Sequence, residues 1–330
     1  MIKENEIRPE ELVKKQQEFI KQDIAFLLSQ KDKFVSISCP ACETNNEEIE
    51  FNKNGFDYIE CQNCGMLYVS PRPVSKLLGE FYLNSPNYKF FNDYIFPASK
   101  ETRKEKIFKP RVNKVIDVCK KHNVNTDKII EIGAGFGLFC EEIAKTAFFK
   151  EVVGLEASDS LFETCKDKGF RIYNGILETL KIDEKFNVAV AFEVIEHIFN
   201  PYEFLKITNK LLDDNGFLML TFPNYEGFDI NLLKEKSVSV DHEHLNYFTG
   251  DSISILLEKT GFNVIDIKTP GMLDVDLVRK EIVNNNYNPE KFIKNVCVDK
   301  FDTLGHEFQK FLSENGLSSH MMVIAKKVGE

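Results

Sequence analysis

The sequence predicts an α/β protein: a Rossmann-like, doubly wound sheet of seven strands, preceded by a small ribbon of metal-binding type and interrupted by a helical insertion. Three observations predict it. From residue 128 onward, short apolar strands alternate with helical stretches, the pattern of a parallel sheet covered by helices. The first such strand breaks into KIIEIGAGFGLFC (128–140), where Gly133, Gly135 and Gly137 let the backbone turn sharply and come close to a ligand at the strand's carboxyl end. Upstream, Cys39-x2-Cys42 and Cys61-x2-Cys64 stand eighteen residues apart. These features divide the chain into an amino-terminal helix (1–33), a ribbon (34–75), aromatic lid and linker helices (76–125) and an α/β domain (126–330) with an insertion at 271–315.

A chain of 330 residues is long enough for a full α/β core with satellites. Its net charge of -10 argues against a large nucleic-acid footprint and points to a small-molecule acceptor. No run of 18 apolar residues suggests a membrane span, and the start MIKENEIRPEE lacks the apolar core of a signal peptide, so a cytoplasmic location is expected. Eight cysteines in such a compartment favour metal ligation over disulfides.

Taken in order, residues 9–29 read as an amphipathic helix: Pro9 suits the first helical position, Glu10 and Glu11 the first turn, and Leu12, Phe19, Ile20, Ile24, Leu27 and Leu28 form a stripe. The stripe needs a partner, its own domain or a second copy in a homodimer. In the ribbon, Cys39, Cys42, Cys61 and Cys64 can converge tetrahedrally on zinc, around a hairpin turning at Asn52-Lys53-Asn54-Gly55. Four protein ligands close the site, so this zinc is structural. Next come Phe81, Tyr82, Tyr88, Phe90, Phe91, Tyr94 and Phe96, either packing or a lid from which Tyr88 or Tyr94 reaches substrate. Residues 101–122 form a helix. Strands are expected at about 128–132, 151–156, 170–174, 186–192 and 216–223, then FNVIDIKT after Gly261 and SSHMMVIAKK near the carboxyl terminus.

The glycine loop carries further detail. The dinucleotide fingerprint wants a third glycine where this chain has Leu138, and Glu131 ends the strand where a carboxylate would repel a pyrophosphate. A ligand with an ammonium and a sulfonium suits that carboxylate, and S-adenosylmethionine is one. Glu156 closes EVVGLE, placed to accept from both ribose hydroxyls.

With Gly175-Ile176-Leu177-Glu178, Phe192-Glu193-Val194-Ile195-Glu196-His197 and Thr221-Phe222-Pro223-Asn224, the chain from 126 to 327 resembles the class I S-adenosylmethionine-dependent methyltransferases. The resemblance implies a cofactor site of Glu131, Gly133, Gly135, Gly137, Glu156, Ala157, Ile176, Leu177 and Phe192. It also implies a last strand inserted beside the fifth.

Methyl transfer to carbon or oxygen usually needs a proton acceptor, and of six histidines His197, His242 and His244 fall on the relevant segments. The block Asp241-His242-Glu243-His244 with Tyr247-Phe248 is similar to the loop of zinc-ribbon sugar C-methyltransferases that act on nucleotide-linked keto sugars. That resemblance implies His244 as base, Glu243 as its orienting carboxylate and His197 as a second polar contact, with His242 a further candidate on the same loop. It implies a role in carbohydrate biosynthesis on a surface-glycan pathway. Those enzymes are longer, and several carry tyrosine where this chain has Asp241, which leaves C- and O-methylation both open. Glu193-x2-Glu196-His197 also matches the ligand pattern of metal-dependent ubiquinone-pathway O-methyltransferases and of a small-RNA methyltransferase. A ribbon-mediated binder or modifier of RNA or protein is the competing class, disfavoured because Lys53 is the only basic residue between the cysteine pairs.

Overall fold

The computed structural model describes residues 3–285 and 287–328. The chain divides into two compact units, one of Met1–Ser99, Phe222–Ile253 and Ile267–Met322, the other of Lys100–Thr221, Ser254–Asp266 and Val323–Glu330.

In the first unit the amino-terminal helix runs Glu10–Ser29, and its stripe packs on the unit's own helix Pro86–Phe90, with Phe19 stacked on Phe90 at 4.8 Å between ring centroids. A short pair of strands, β1 (Phe34–Val35) and β5 (Arg72–Pro73), brackets β2 (Ile49–Lys53), β3 (Phe56–Glu60) and β4 (Leu67–Val69). The β2–β3 hairpin turns at Asn54 and Gly55, both with positive φ, as the Asn-Gly signal requires. The β3–β4 pairing is antiparallel as well.

The chain then lays down β6 (Lys128–Ile132), β7 (Glu151–Glu156), β8 (Arg171–Asn174), β9 (Phe186–Phe192) and β10 (Leu212–Pro223), followed by β11 (Asn246–Tyr247), β12 (Phe262–Lys268) and β13 (His320–Lys327). The large sheet has the order β12-β13-β10-β9-β6-β7-β8, with β6 to β10 parallel wherever they pair. β13 does lie beside the fifth strand of the sheet, as expected. Every residue of β9 is buried, the signature of a central parallel strand covered on both faces. Two boundaries differ. The helix expected at 101–122 is under way by Phe96 and passes through a π-helical stretch at Lys104–Phe108. β10 starts at Leu212, not 216, and its register slips between Leu212 and Phe217, where Asp213-Asp214-Asn215-Gly216 turns with Asn215 at φ 64. In the first unit β11 joins the ribbon, giving a sheet ordered β11-β4-β3-β2. The insertion is helical (Asp274–Asn284, His306–Glu314) and packs around Val275, Val278, Val296, Phe301 and Leu312.

Candidate functional site

The three glycines after β6 do two different things. Gly133, at φ 78, comes so close to Val194 that an added Cβ would stand 2.6 Å from its Cγ2. Gly137 is packed the same way against Phe170 and Cys165. Gly135, at φ 53, faces open space, with no atom within 4 Å of the place a Cβ would take. Its amide donates to Glu156 Oε2 (2.7 Å), while the Ser158 amide donates to Glu156 Oε1 (2.8 Å). Both oxygens of this buried carboxylate are therefore fixed in direction, each with lone-pair capacity left for a diol. Burial raises the Glu156 pKa, opposed by these backbone donors. Ala157 is exposed beside it; Ile176 is exposed and Leu177 buried, so Leu177 can offer only its backbone.

Glu131 is also buried, and its Oε2 accepts from the Cys140 thiol at 3.0 Å. Desolvation pushes its pKa up to about 8, so the standing negative charge expected from the sequence is largely protonated at neutral pH. A cation placed beside it would restore the charge. At the end of β9, Glu193 adopts φ 56, and its Oε1 accepts from Arg111 Nη2 (2.6 Å) and from Thr221 Oγ1 (2.6 Å). The Arg111 guanidinium lies 4.8 Å from the centroid of Phe192. His197 follows on a short 3-10 turn, with Nε2 4.0 Å from Glu196 Oε1.

The histidine segment, in the first unit, is held by the ribbon. Lys53 Nζ donates to Ser237 O and Val240 O (2.7 and 2.6 Å), Tyr58 Oη to Asp241 O (2.8 Å), and Arg72 Nη2 to Leu245 O and Asn246 Oδ1 (3.1 Å each). Within it His244 Nδ1 faces Ser239 O at 3.3 Å and Asp241 Oδ2 at 3.6 Å. A hydrogen on Nδ1, directed at that carbonyl, makes Nε2 the basic nitrogen. The carboxylate beside Nδ1 is thus Asp241, whereas Glu243 Oε1 accepts from Asn87 Nδ2 at 2.6 Å and lies 3.8 Å from His242 Nε2. His242 is buried against the edge of Phe81.

Residues 97–267, just over half of the chain, match a family described as a methyltransferase domain. The chain belongs to that methyltransferase family. With its sheet order it is a class I S-adenosylmethionine-dependent methyltransferase domain. Curated relatives include proteins named ubiquinone biosynthesis O-methyltransferase from Ruegeria sp. (strain TM1040), 26% identical over 43% of this chain and 62% of that protein, and from Bartonella quintana (strain Toulouse), 26% identical over 42% and 61%. The chain thus spans about three fifths of the length of the curated relatives it matches. Among solved structures, the plantazolicin methyltransferase BpumL in complex with SAH superposes with a TM-score of 0.50 at 12% identity, over 76% of this chain and 94% of that one, a likeness of fold.

The methyltransferase residues fit the cofactor: an oriented buried carboxylate, an open glycine and a second buried carboxylate that a cation would ionise. Sequence reasoning missed Arg111, which lies on the helix Lys109–His122 with nothing in the local pattern to single it out. It also missed Asp23, a carboxylate in the middle of an apolar stripe, which was a readable signal.

The four ribbon thiols lie within 4.8 Å of one another, with Cys39–Cys64 and Cys42–Cys61 Sγ separations of 3.5 and 3.4 Å. Their two knuckles repeat one geometry. Cys39 N donates to Thr44 O and Glu43 N to Cys39 O; Cys61 N donates to Met66 O and Gly65 N to Cys61 O, with Glu43 and Gly65 both at positive φ.

Proposed function

We propose that the protein transfers the methyl group of S-adenosylmethionine to a small polyhydroxy acceptor, a nucleotide-activated sugar, with zinc held by Cys39, Cys42, Cys61 and Cys64. The observation that carries the cofactor reading is the Glu156 carboxylate, aimed by the amides of Gly135 and Ser158 so that it can accept the ribose diol. When bound, the cofactor supplies a methyl carbon made electrophilic by its sulfonium. Gly135 leaves room for the ligand backbone, Glu131 offers a counter-charge to its ammonium, and Arg111 beside Phe192 offers one to its carboxylate. His244 is assigned the acceptor's proton, with its Nδ1 hydrogen held by Ser239 O and Asp241. His242 and Glu243 are assigned support of that segment, and His197 a polar contact to the acceptor.

The zinc assignment is supported by the matched knuckles and by Arg72, a fully buried cation on which Cys39 acts electrostatically. Four thiolates around one zinc carry a net double negative charge, which such a cation offsets. The sugar assignment rests on the likeness of Asp241–Phe248 to the loop of sugar C-methyltransferases.

A second reading, O-methylation of a phenolic metabolite, is favoured by the names of the curated relatives. Its metal-assisted form is opposed at Glu193, whose Oε1 is already taken by Arg111 and Thr221.

Labelled-methyl transfer to a panel of nucleotide-linked keto sugars and catechols separates the two. Sugar methylation is expected, with His244→Asn lowering kcat by about 10²–10⁴ and leaving cofactor affinity within twofold. Transfer to catechols alone would select the second reading, and an unchanged kcat in the variant would remove His244 from the chemistry.

A further inference from the structure

Three side chains of the first unit, Asp23 and His242 buried and Glu243 half-buried, form a cluster that neither the cofactor nor the ribbon uses. Asp23 comes from the amino-terminal helix, and His242 and Glu243 from the histidine segment. His242 Nε2 points between the two carboxylates, 3.8 Å from Asp23 Oδ2 and 3.8 Å from Glu243 Oε1. Those separations are too long for hydrogen bonds. Among the described residues that nitrogen has no hydrogen-bond partner, although it is fully buried and the residue is only 6% exposed. Asp23 is 1% exposed.

The oxygens that face Nε2 are themselves fixed from behind. Ser85 Oγ donates to Asp23 Oδ2 (2.5 Å) and Asn87 Nδ2 to Glu243 Oε1 (2.6 Å), while Gln16 Nε2 donates to Asn87 Oδ1 (2.8 Å). Outer hydrogen bonds that orient donors toward a common centre are the usual surroundings of a metal ligand set. The cluster sets two carboxyl groups around one imidazole, whose protonation would supply a single positive charge. A divalent cation would offset both carboxylates, and a buried charge persists only when compensated.

Spacing agrees with this. The three donor atoms lie within 4.8 Å of one another. An ion at the centre of such a triangle would stand about 2.2–2.5 Å from each donor, so a closure of a few tenths of an ångström reaches the roughly 2.0–2.2 Å of bound zinc.

We propose that Asp23, His242 and Glu243 bind a divalent transition-metal ion that ties the helix Glu10–Ser29 to the histidine segment. One imidazole with two carboxylates suits Zn²⁺ or Mn²⁺. The site is separate from the cysteine tetrad and from the Glu193/Glu196/His197 pattern, and it does not depend on the acceptor's identity.

The test titrates full-length protein, its ribbon metal retained, with Mn²⁺ followed by electron paramagnetic resonance. One equivalent beyond the ribbon metal is expected. His242→Ala and the size-conserving Asp23→Asn should each weaken it at least tenfold, with His197→Ala unchanged. Amides of Glu10–Ser29 should gain protection from hydrogen exchange on addition of Mn²⁺ in the wild type and not in Asp23→Asn. Three results would each overturn the site: no equivalent beyond the ribbon metal, binding lost in His197→Ala but kept in His242→Ala, or an imidazolium at His242 in nuclear magnetic resonance spectra with Zn²⁺ in excess. The last would make the cluster an ion triad.

Discussion

The glycine loop and the histidine segment are both irregular backbone, and they are held in opposite ways. Residues 133–137 are held close by: Gly133 and Ala134 amides donate to Leu155 O, Gly137 to Ala134 O and Gly135 to Glu156, the longest of these reaches being the 22 positions from Gly133 to Leu155. Residues 237–249 are held from outside, by Lys53, Tyr58, Cys64, Arg72, Tyr82 and Asn87, at sequence separations from 156 to 187. A locally held loop carries its shape in nearby residue types. An externally held one can be lost by a change far from it in sequence, and the ribbon is where such changes act.

Arg72→Met breaks the external hold most severely. The guanidinium is fully buried and donates to Val69 O, Leu245 O and Asn246 Oδ1, so methionine fills the volume but leaves buried acceptors without donors. Each buried acceptor left without its donor costs about 1–3 kcal/mol, so losing all three should cost about 3 kcal/mol or more. Urea unfolding should show that loss, and hydrogen exchange should show Asn246 and Tyr247 opening first. Cofactor affinity within twofold of wild type would sharpen the contrast. Stability within about 1 kcal/mol of wild type, well short of the expected loss, would abolish it.

The same contrast explains what could be read from the sequence. Strands, glycine loop and both carboxylates at strand ends were legible because period and spacing are local properties. The cysteine pairs were legible because two knuckles repeat one pattern. The burial of Glu131, which changes its protonation, was not, since it depends on the helix laid over it. Arg111 joining Glu193 and Thr221 spans 82 and 110 positions, and no periodicity encodes that. The pairing of Asp241 rather than Glu243 with His244 Nδ1 depends on a loop shape set by Ser237 and Ser239.

Those serines lead to the next effect in size. Asp229 is fully buried, and its Oδ2 accepts from Ser237 Oγ (2.7 Å) and Ser239 Oγ (2.9 Å), the latter residue bearing the carbonyl that faces His244. Desolvation, with a push from Asp274, raises its pKa from 3.8 to about 6. A carboxyl whose folded pKa is raised stabilises the fold below its unfolded pKa, and that contribution fades as pH climbs through the folded value. Its full span is about 3 kcal/mol. Asp229→Asn should match wild type at pH 4 and exceed its unfolding free energy at pH 8, flattening the curve between. Parallel pH curves for the two proteins would rule this out.

The smallest effect on stability belongs to the locally held loop, at Gly135. Alanine there must accept φ 53, which costs about 1–2 kcal/mol, but its methyl meets no atom within 4 Å. At Gly137 the same methyl would stand 2.4 Å from Phe170 Cζ, so Gly137→Ala must displace packed side chains and is the harsher change to the fold. The space over Gly135 is where the cofactor reading puts ligand, and the added methyl would occupy it. Gly135→Ala should therefore fold, lose little stability and bind S-adenosylmethionine at least tenfold more weakly by calorimetry. Affinity equal to wild type would mean that this open face is bare solvent-exposed backbone and that the cofactor lies elsewhere along the loop.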